Sequence, residues 1–373
     1  GPGSRGCRTL AAGREVRLSG LDAGHRNDRR RFEVTDQRTG KPSRHVLVTG
    51  GLGFIGSFVT ESLVEAGDRV TVVDSCVSSV IEPEDLRGPA GAIEVVQKTV
   101  EDYLVEAGTL DEFDLVVHCA SYVGPASILG FAGQLGPAIV GTTAKVIEKC
   151  IAADIPLVNF SSAEIYGKSG ILREDGDIRV PPYFNPRIEY ALGKLTAEAM
   201  CINSKVHGLR SATIRPFNVA GPRQSRYGGF VMPTFVQQAL EGRPMTVFAS
   251  GLQRRAFLSV FDLCRFINEH LTDEAFEDPK VYNVGNPGNT TEIYELAVRI
   301  KEMTGSESDI IYADATKIYG PQYEEAESFE KLPELKNAAA LGWEPRMDLD
   351  ALIQETIDYY KAHSDMRGAN ARL

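Results

Sequence analysis

VLVTGGLGFIG occupies residues 46–56 of the chain. Val46, Leu47 and Val48 make a short apolar β-run, Gly50, Gly53 and Gly56 follow at three-residue spacing, and helical periodicity begins near Phe54. These residues predict a strand that passes through a glycine turn into a helix. Such a turn lets a backbone approach a pyrophosphate closely, and the helix N-terminus offers free N–H groups and the positive end of its dipole. A second apolar run, RVTVVD from Arg69, ends in Asp74, about 20 residues past the glycines, where a carboxylate accepts the hydroxyls of an adenosine ribose. No arginine follows Asp74 at once, so the pattern favours NAD over NADP. Gly50, Gly53, Phe54, Ile55, Gly56 and Asp74 are the expected cofactor contacts.

Working outward, IEVV at 93–96, LVVHCA at 115–120 and LVNFSS at 157–162 are further apolar runs, separated by stretches long enough for crossover helices. Ala120, at the end of the second of these, joins the expected cofactor contacts. The clearest crossover is Gly136 to Ala152, with Ile139, Thr143, Val146, Ile147 and Cys150 at helical spacing. Strands alternating with helices imply an α/β fold: a Rossmann-type, doubly wound parallel sheet over residues 45–215 that binds NAD. From Pro216 onward glycine and proline become denser, and MTVFA and VYNVG alternate with helical patterns around 230–241, 291–303 and 348–362. Residues 216–373 are therefore expected to form mainly a smaller, substrate-binding lobe, with some segments returning to the first domain.

The composition, 43% hydrophobic and 24% charged, is that of an ordinary globular protein. A formal charge of −11 argues against broad nucleic-acid binding, which needs a basic excess. The six cysteines contain no C-x-x-C pair and read as reduced core thiols; with the six histidines they make no metal-ligand spacing, so no metal is expected. No apolar run reaches transmembrane length and no signal region opens the chain, which predicts a cytoplasmic enzyme without a membrane partner. Residues 1–44 comprise a tag remnant, Gly1 to Ser4, and a flexible arm with eleven basic against five acidic residues. The arm reads either as a contact for an anionic partner or another subunit, or as a solvated extension, and the second reading is favoured.

The chemistry gathers in two places. The loop SSAEIYG, Ser161 to Gly167, leaves the end of a central strand, where ligands of such sheets bind. Downstream, Tyr190 and Lys194 in EYALGK stand four apart and share a helix face. An ammonium beside a phenol favours the phenolate, which brings a tyrosine from near 10 toward working pH and yields a base for an alcohol proton.

In this order, the cofactor turn, hydroxyl loop and Y-x-x-x-K resemble the extended short-chain dehydrogenase/reductase family, in particular its nucleotide-sugar epimerases, dehydratases and decarboxylases. The resemblance spans roughly Val46 to Lys361. It places Ser162 at the catalytic Ser/Thr and Tyr190 and Lys194 at the catalytic Tyr and Lys, with Lys194 also holding the nicotinamide ribose. In RPFNVAGPR, Asn218 falls where the family meets the nucleotide diphosphate, and Arg223 is counted with it; Arg255 in QRRAF falls on the phosphates, while Asp262 in SVFD is read as structural. The implied substrate is a nucleotide-diphosphate sugar. The implied first step has Tyr190 take the O4 proton, Ser162 steady that oxygen and NAD accept the C4 hydride, leaving a 4-keto sugar. A homodimer is also implied, built on the helical segments near 137–152 and 188–207.

Two departures bear on the fate of the oxidised sugar. Glu164 resembles the extra acid/base of dehydratases and decarboxylases, or is a loop carboxylate paired with a nearby arginine. Ala163 stands where dehydratases carry an acid and decarboxylases a serine, and Ala138 stands where many relatives have an asparagine. With the redox residues intact and the elimination acid absent, the leading expectation is an NAD-dependent nucleotide-sugar epimerase. A UDP-glucuronate-type decarboxylase or 4,6-dehydratase using Glu164 is the alternative. A non-catalytic NAD-binding scaffold is the alternative of another class, and Ser162, Tyr190 and Lys194 count against it.

Overall fold

His45–Thr49 (β1) lies within a seven-stranded sheet, flanked by Arg69–Asp74 (β2), Ile93–Gln97 (β3), Leu115–His118 (β4), Leu157–Phe160 (β5), Ser211–Pro216 (β6) and Lys280–Val284 (β7). All neighbours are parallel, in the spatial order β3-β2-β1-β4-β5-β6-β7. The computed structural model describes residues 43–167, 169–225, 228–278, 280–319 and 329–363; the arm as far as residue 42, Cys7 included, lies outside them.

The strands read as unbroken apolar runs because both sheet faces are covered. Val46 and Val48 pack on one side with Phe58, Val59 and Leu63 of Phe54–Glu65 (α1). Leu47 points the other way, into a core with Leu104 of Val100–Ala107 (α2), Val146, Ile147 and Cys150 of Leu135–Ala153 (α3), and Cys201 of Pro186–Asn203 (α4). A single strand thus feeds both layers through its two-residue period.

The second lobe has its own core, in which Met232, Phe235, Val247, Leu296 and Ile353 meet. Its four-stranded sheet has the order Thr290–Glu292, Arg254–Ala256, Glu330–Pro333, Gly170–Leu172. Two strands cross the division of the chain expected at residue 216, a division that already allowed some later segments to return to the first domain. The VYNV run does not belong to the lobe but forms β7, because Tyr282 and Val284 are buried in the main-sheet core and Tyr282 packs on Phe266 at 5.5 Å between ring centroids. Gly170–Leu172 lies before that boundary yet pairs in the lobe's sheet with Glu330–Pro333. Alternation and composition mark a strand; they do not say which sheet takes it.

A buried polar cluster ties the elements around the sheet end together. Arg215 of β6 donates to both carboxylate oxygens of Glu198 on α4, through Nε at 3.0 Å and through Nη2, and the two side chains are each 4% exposed. Its Nη1 donates to the Tyr166 hydroxyl at 2.8 Å, which donates in turn to Asn283 Oδ1 of β7 at 2.7 Å. Asn283 Nδ2 then reaches the carbonyls of Leu172 and Glu334, both at 3.0 Å. Removing one partner of such a pair strands a buried charge. Glu198→Ala is therefore expected to destabilise the protein by about 3–5 kcal/mol, read as a lowered midpoint of urea unfolding.

Candidate active site

The glycine turn is tighter than its spacing alone requires. A Cβ on Gly56 would sit 2.0 Å from the Gly50 carbonyl oxygen, and Gly50, at φ +72°, would bring one within 2.8 Å of the Ala120 backbone. At Gly53 the nearest obstacle is the Gly50 oxygen at 3.3 Å, and the residue lines a cleft. No side chain caps α1, and its first intrahelical bond runs from Ser57 N to Gly53 O, so the amides of Phe54, Ile55 and Gly56 come before it. Uncapped amides beside a side-chain-free backbone fit a pyrophosphate. Asp74 lines the same cleft, its Oδ2 accepting from Leu52 N at 3.0 Å and its Oδ1 from Cys76 N at 2.8 Å, which fixes the carboxylate for ribose hydroxyls. Cys76 corrects the expectation of core thiols: it is exposed, with φ 59°, whereas Cys150, Cys201 and Cys264 are buried.

Beyond β5, Ser162 caps the short turn Ala163–Tyr166 by accepting from Glu164 N at 3.1 Å, and it shares the cleft with Tyr190, whose phenol it shifts toward the charged form. Asn185 caps α4 through Ile188 N at 3.0 Å, which sets Tyr190 and Lys194 on the buried face. Lys194 Nζ donates to the Phe160 carbonyl at 2.8 Å and stands 6.0 Å from the centre of the Tyr190 ring. The expected lowering of the phenol pKa does not occur in the chain by itself. Burial pushes the Tyr190 hydroxyl up and the Glu164 charge adds to this, with Ser162 acting against both. Burial also takes Lys194 down to about 8.

Glu164 is ringed by cations. Its Oε1 accepts from Lys331 Nζ, its Oε2 lies 3.9 Å from Arg187 Nε, and it lines the cleft with both. Burial favours the neutral acid, yet Lys331, Arg187 and Arg255 outweigh it and hold Glu164 down to about 2. Neither Lys331 nor Arg187 stands out in the sequence as a site residue. Arg187 has a legible signal, three residues before Tyr190 on one helix. Lys331 has none, since strand pairing far along the chain brings it here.

Asn218 and Arg255 line this cleft, as do Ala120 and Ala138. Asn218 holds a left-handed φ of 40° and donates to the Ala256 carbonyl at 3.3 Å. Arg255, 7% exposed, donates to the carbonyls of Arg254 and Phe329. Arg223 is not among the lining residues: it pairs with Glu61 at 2.7 Å and lies over the Phe58 ring, which gives it a place in packing. Asp262 accepts from the Arg346 and Met347 amides, both at 2.9 Å, a structural role. The cleft measures about 1520 Å³, beyond the roughly 300–1,000 Å³ of a single small-molecule site, so it has room for a dinucleotide and a second ligand. Among the described residues no group of three or more His, Cys, Asp or Glu could hold a metal, and no helix is long and apolar enough to cross a membrane.

The NAD dependent epimerase/dehydratase family model matches residues 46–285. The chain belongs to that family. NAD is accordingly its cofactor, and the turn, α1 and Asp74 are the residues that fit it. The chain is similar to a UDP-N-acetyl-alpha-D-glucosaminuronate decarboxylase of Bacillus cytotoxicus, 28% identical over 85% of this chain and 98% of the other. It is also similar to UDP-glucuronic acid decarboxylase 1 of Danio rerio, 31% identical over 88% and 76%. A solved UDP-glucose 4-epimerase of Thermotoga maritima superposes with a TM-score of 0.72, at 25% identity, covering 85% of this chain and 99% of that one.

Two outcomes are expected from this geometry. Titration calorimetry should show tighter binding of NAD than of NADP, because Asp74 would repel a 2′-phosphate. Tyr190→Phe should retain NAD binding and lose about 10²–10⁴-fold in turnover, the usual worth of a positioned proton acceptor.

Proposed function

We propose that this protein removes CO2 from a nucleotide uronate through transient oxidation of the sugar at C4. The observation that carries this reading is the ionised Glu164 beside Tyr190 with Lys331, Arg187 and Arg255 around it. Three cations facing one carboxylate leave local positive charge, which suits a sugar bearing its own carboxylate. When bound, NAD supplies the hydride acceptor and donor. Tyr190 takes the O4 proton and Ser162 orients that oxygen, giving a ketone at C4. The C5 carboxylate is then β to a carbonyl, so the electron pair of the breaking C5–CO2 bond passes into the C4 oxygen, held by Ser162 and Tyr190. A proton from solvent closes C5, and as the C4 ketone goes back to an alcohol Tyr190 returns its proton to O4. The two relatives named as decarboxylases support this reading over the epimerase first expected from the sequence.

A second reading, a 4-epimerase with Glu164 as a spectator, is favoured by Ala163, which offers no acid, and by the likeness to the solved epimerase. A panel of UDP-uronates and neutral UDP-, dTDP- and GDP-sugars, incubated in D2O and monitored by mass spectrometry and NMR, separates the two. Decarboxylation gives a product lighter by CO2 with deuterium at C5. Inverted C4 at unchanged mass without carbon-bound deuterium establishes epimerisation instead, and loss of water overturns both. The reading includes a homodimer built on α3 and α4, which light scattering at micromolar concentration checks.

A further inference from the structure

The contacts of Glu164 come from both lobes. Glu164 lies on the loop after β5 and Arg187 on the first turn of α4, whereas Lys331 and Arg255 lie on paired strands of the second lobe, directly opposite one another in register. Like charges side by side on a sheet repel, and here both side chains are buried. Arg255 donates through Nη1 to backbone carbonyls and Arg187 stands at 3.9 Å, so among the described residues Lys331 is the cation in direct hydrogen-bond contact with Glu164. A buried lysine without its counter-charge would be costly, and Glu164 in turn sits where its charge is felt at Tyr190.

We infer that Lys331 is a positioning residue: it anchors Glu164 across the two lobes, offsets its charge beside Tyr190, and by its own protonation state sets the alkaline limit of turnover. The inference rests on the proposed function only in taking Tyr190 as the base that opens the reaction. Among the described residues, the groups facing Lys331 are Glu164, Arg187 and Arg255, with Tyr190 beyond Glu164. Burial brings Lys331 down to about 8, with Glu164 pulling upward and both arginines pushing downward. As pH rises through that value the ammonium is lost, Glu164 keeps its charge without its bonded partner, and the Tyr190 phenolate becomes harder to form.

Lys331→Arg keeps a positive charge at all working pH values, and Lys331→Met removes it. With whichever nucleotide sugar the enzyme turns over, Lys331→Met should lower kcat about 10²-fold in addition to any rise in KM that the lost positive charge causes for an anionic sugar, since a misplaced group near the reacting atoms costs about that much. Lys331→Arg should recover part of kcat and move the alkaline limb of the pH profile upward. A limb that stays in place in the arginine variant would assign it to Lys194 and overturn the inference, as would a methionine variant that raises KM and spares kcat. A third readout needs no substrate: the carboxyl 13C resonance of Glu164 should titrate far below the ordinary carboxylate range in the wild type and move upward in Lys331→Met. Identical Glu164 titrations in the two proteins would overturn the inference. Failure to release CO2 from any uronate would count against decarboxylation alone, leaving the Glu164 titration to decide the role of Lys331.

Discussion

The ion pair between Arg215 and Glu198 is the interaction on which the geometry of the cleft hangs. Glu198 lies on the helix that carries Tyr190 and Lys194, one turn beyond the lysine, and Arg215 reaches past it to Tyr166, the last residue of the turn that carries Ser162 and Glu164. Taking two charges out of water is unfavourable, and the Coulombic return offsets it only where the remaining hydrogen-bond positions are filled. Here Tyr166 and Asn283 are part of that filling. The result is a helix and a loop from different parts of the chain held to one strand, which brings Ser162 and Tyr190 to the same cleft.

The two ends of the cleft use opposite means to hold charge. At the cofactor end the backbone does it, through uncapped amides and the absence of Cβ atoms, with Asp74 as the fixed anion. At the end around Glu164 side chains do it, with lysine and arginine drawn from three elements around one glutamate. The chain as a whole is acidic, at −11, yet at this spot the balance is reversed. Association of an anionic ligand is then governed by a local field inside a low-dielectric cleft and not by net charge.

Much of this is legible in the sequence, and the parts that are not share a cause. The strand–turn–helix of residues 46–56 and the helix at 135–153 follow from local periodicity, which survives folding because each element buries one face or one run. Ser162, Tyr190, Asn218 and Arg255 are legible as members of motifs, and all four line the cleft. Lys331 is not, because its role depends on a parallel pairing with residues some 76 positions earlier and on the chance neighbours of a loop glutamate. Arg223 sits in a motif and yet faces Glu61, since a left-handed φ of 64° sends the chain another way. The raised Tyr190 phenol shows the same limit: helical spacing brings an ammonium near, but desolvation acts on every buried phenol, and which effect is larger depends on burial that no spacing reports.

The interlacing of the two lobes has a consequence for how the molecule comes apart. Gly170–Leu172 leaves the first domain to finish a sheet closed by Glu330–Pro333, and β7 returns to the first domain from deep within the second half of the chain. Neither lobe is a contiguous cassette. Pairings this distant in sequence are made late and slowly, since loop closure must be met before their contacts help. Once made, they couple the two lobes, so amide exchange in β7 and in Gly170–Leu172 would report openings that involve both. Evolution of the second lobe must then proceed by substitution within it, because exchanging it as a module would cut through both cores.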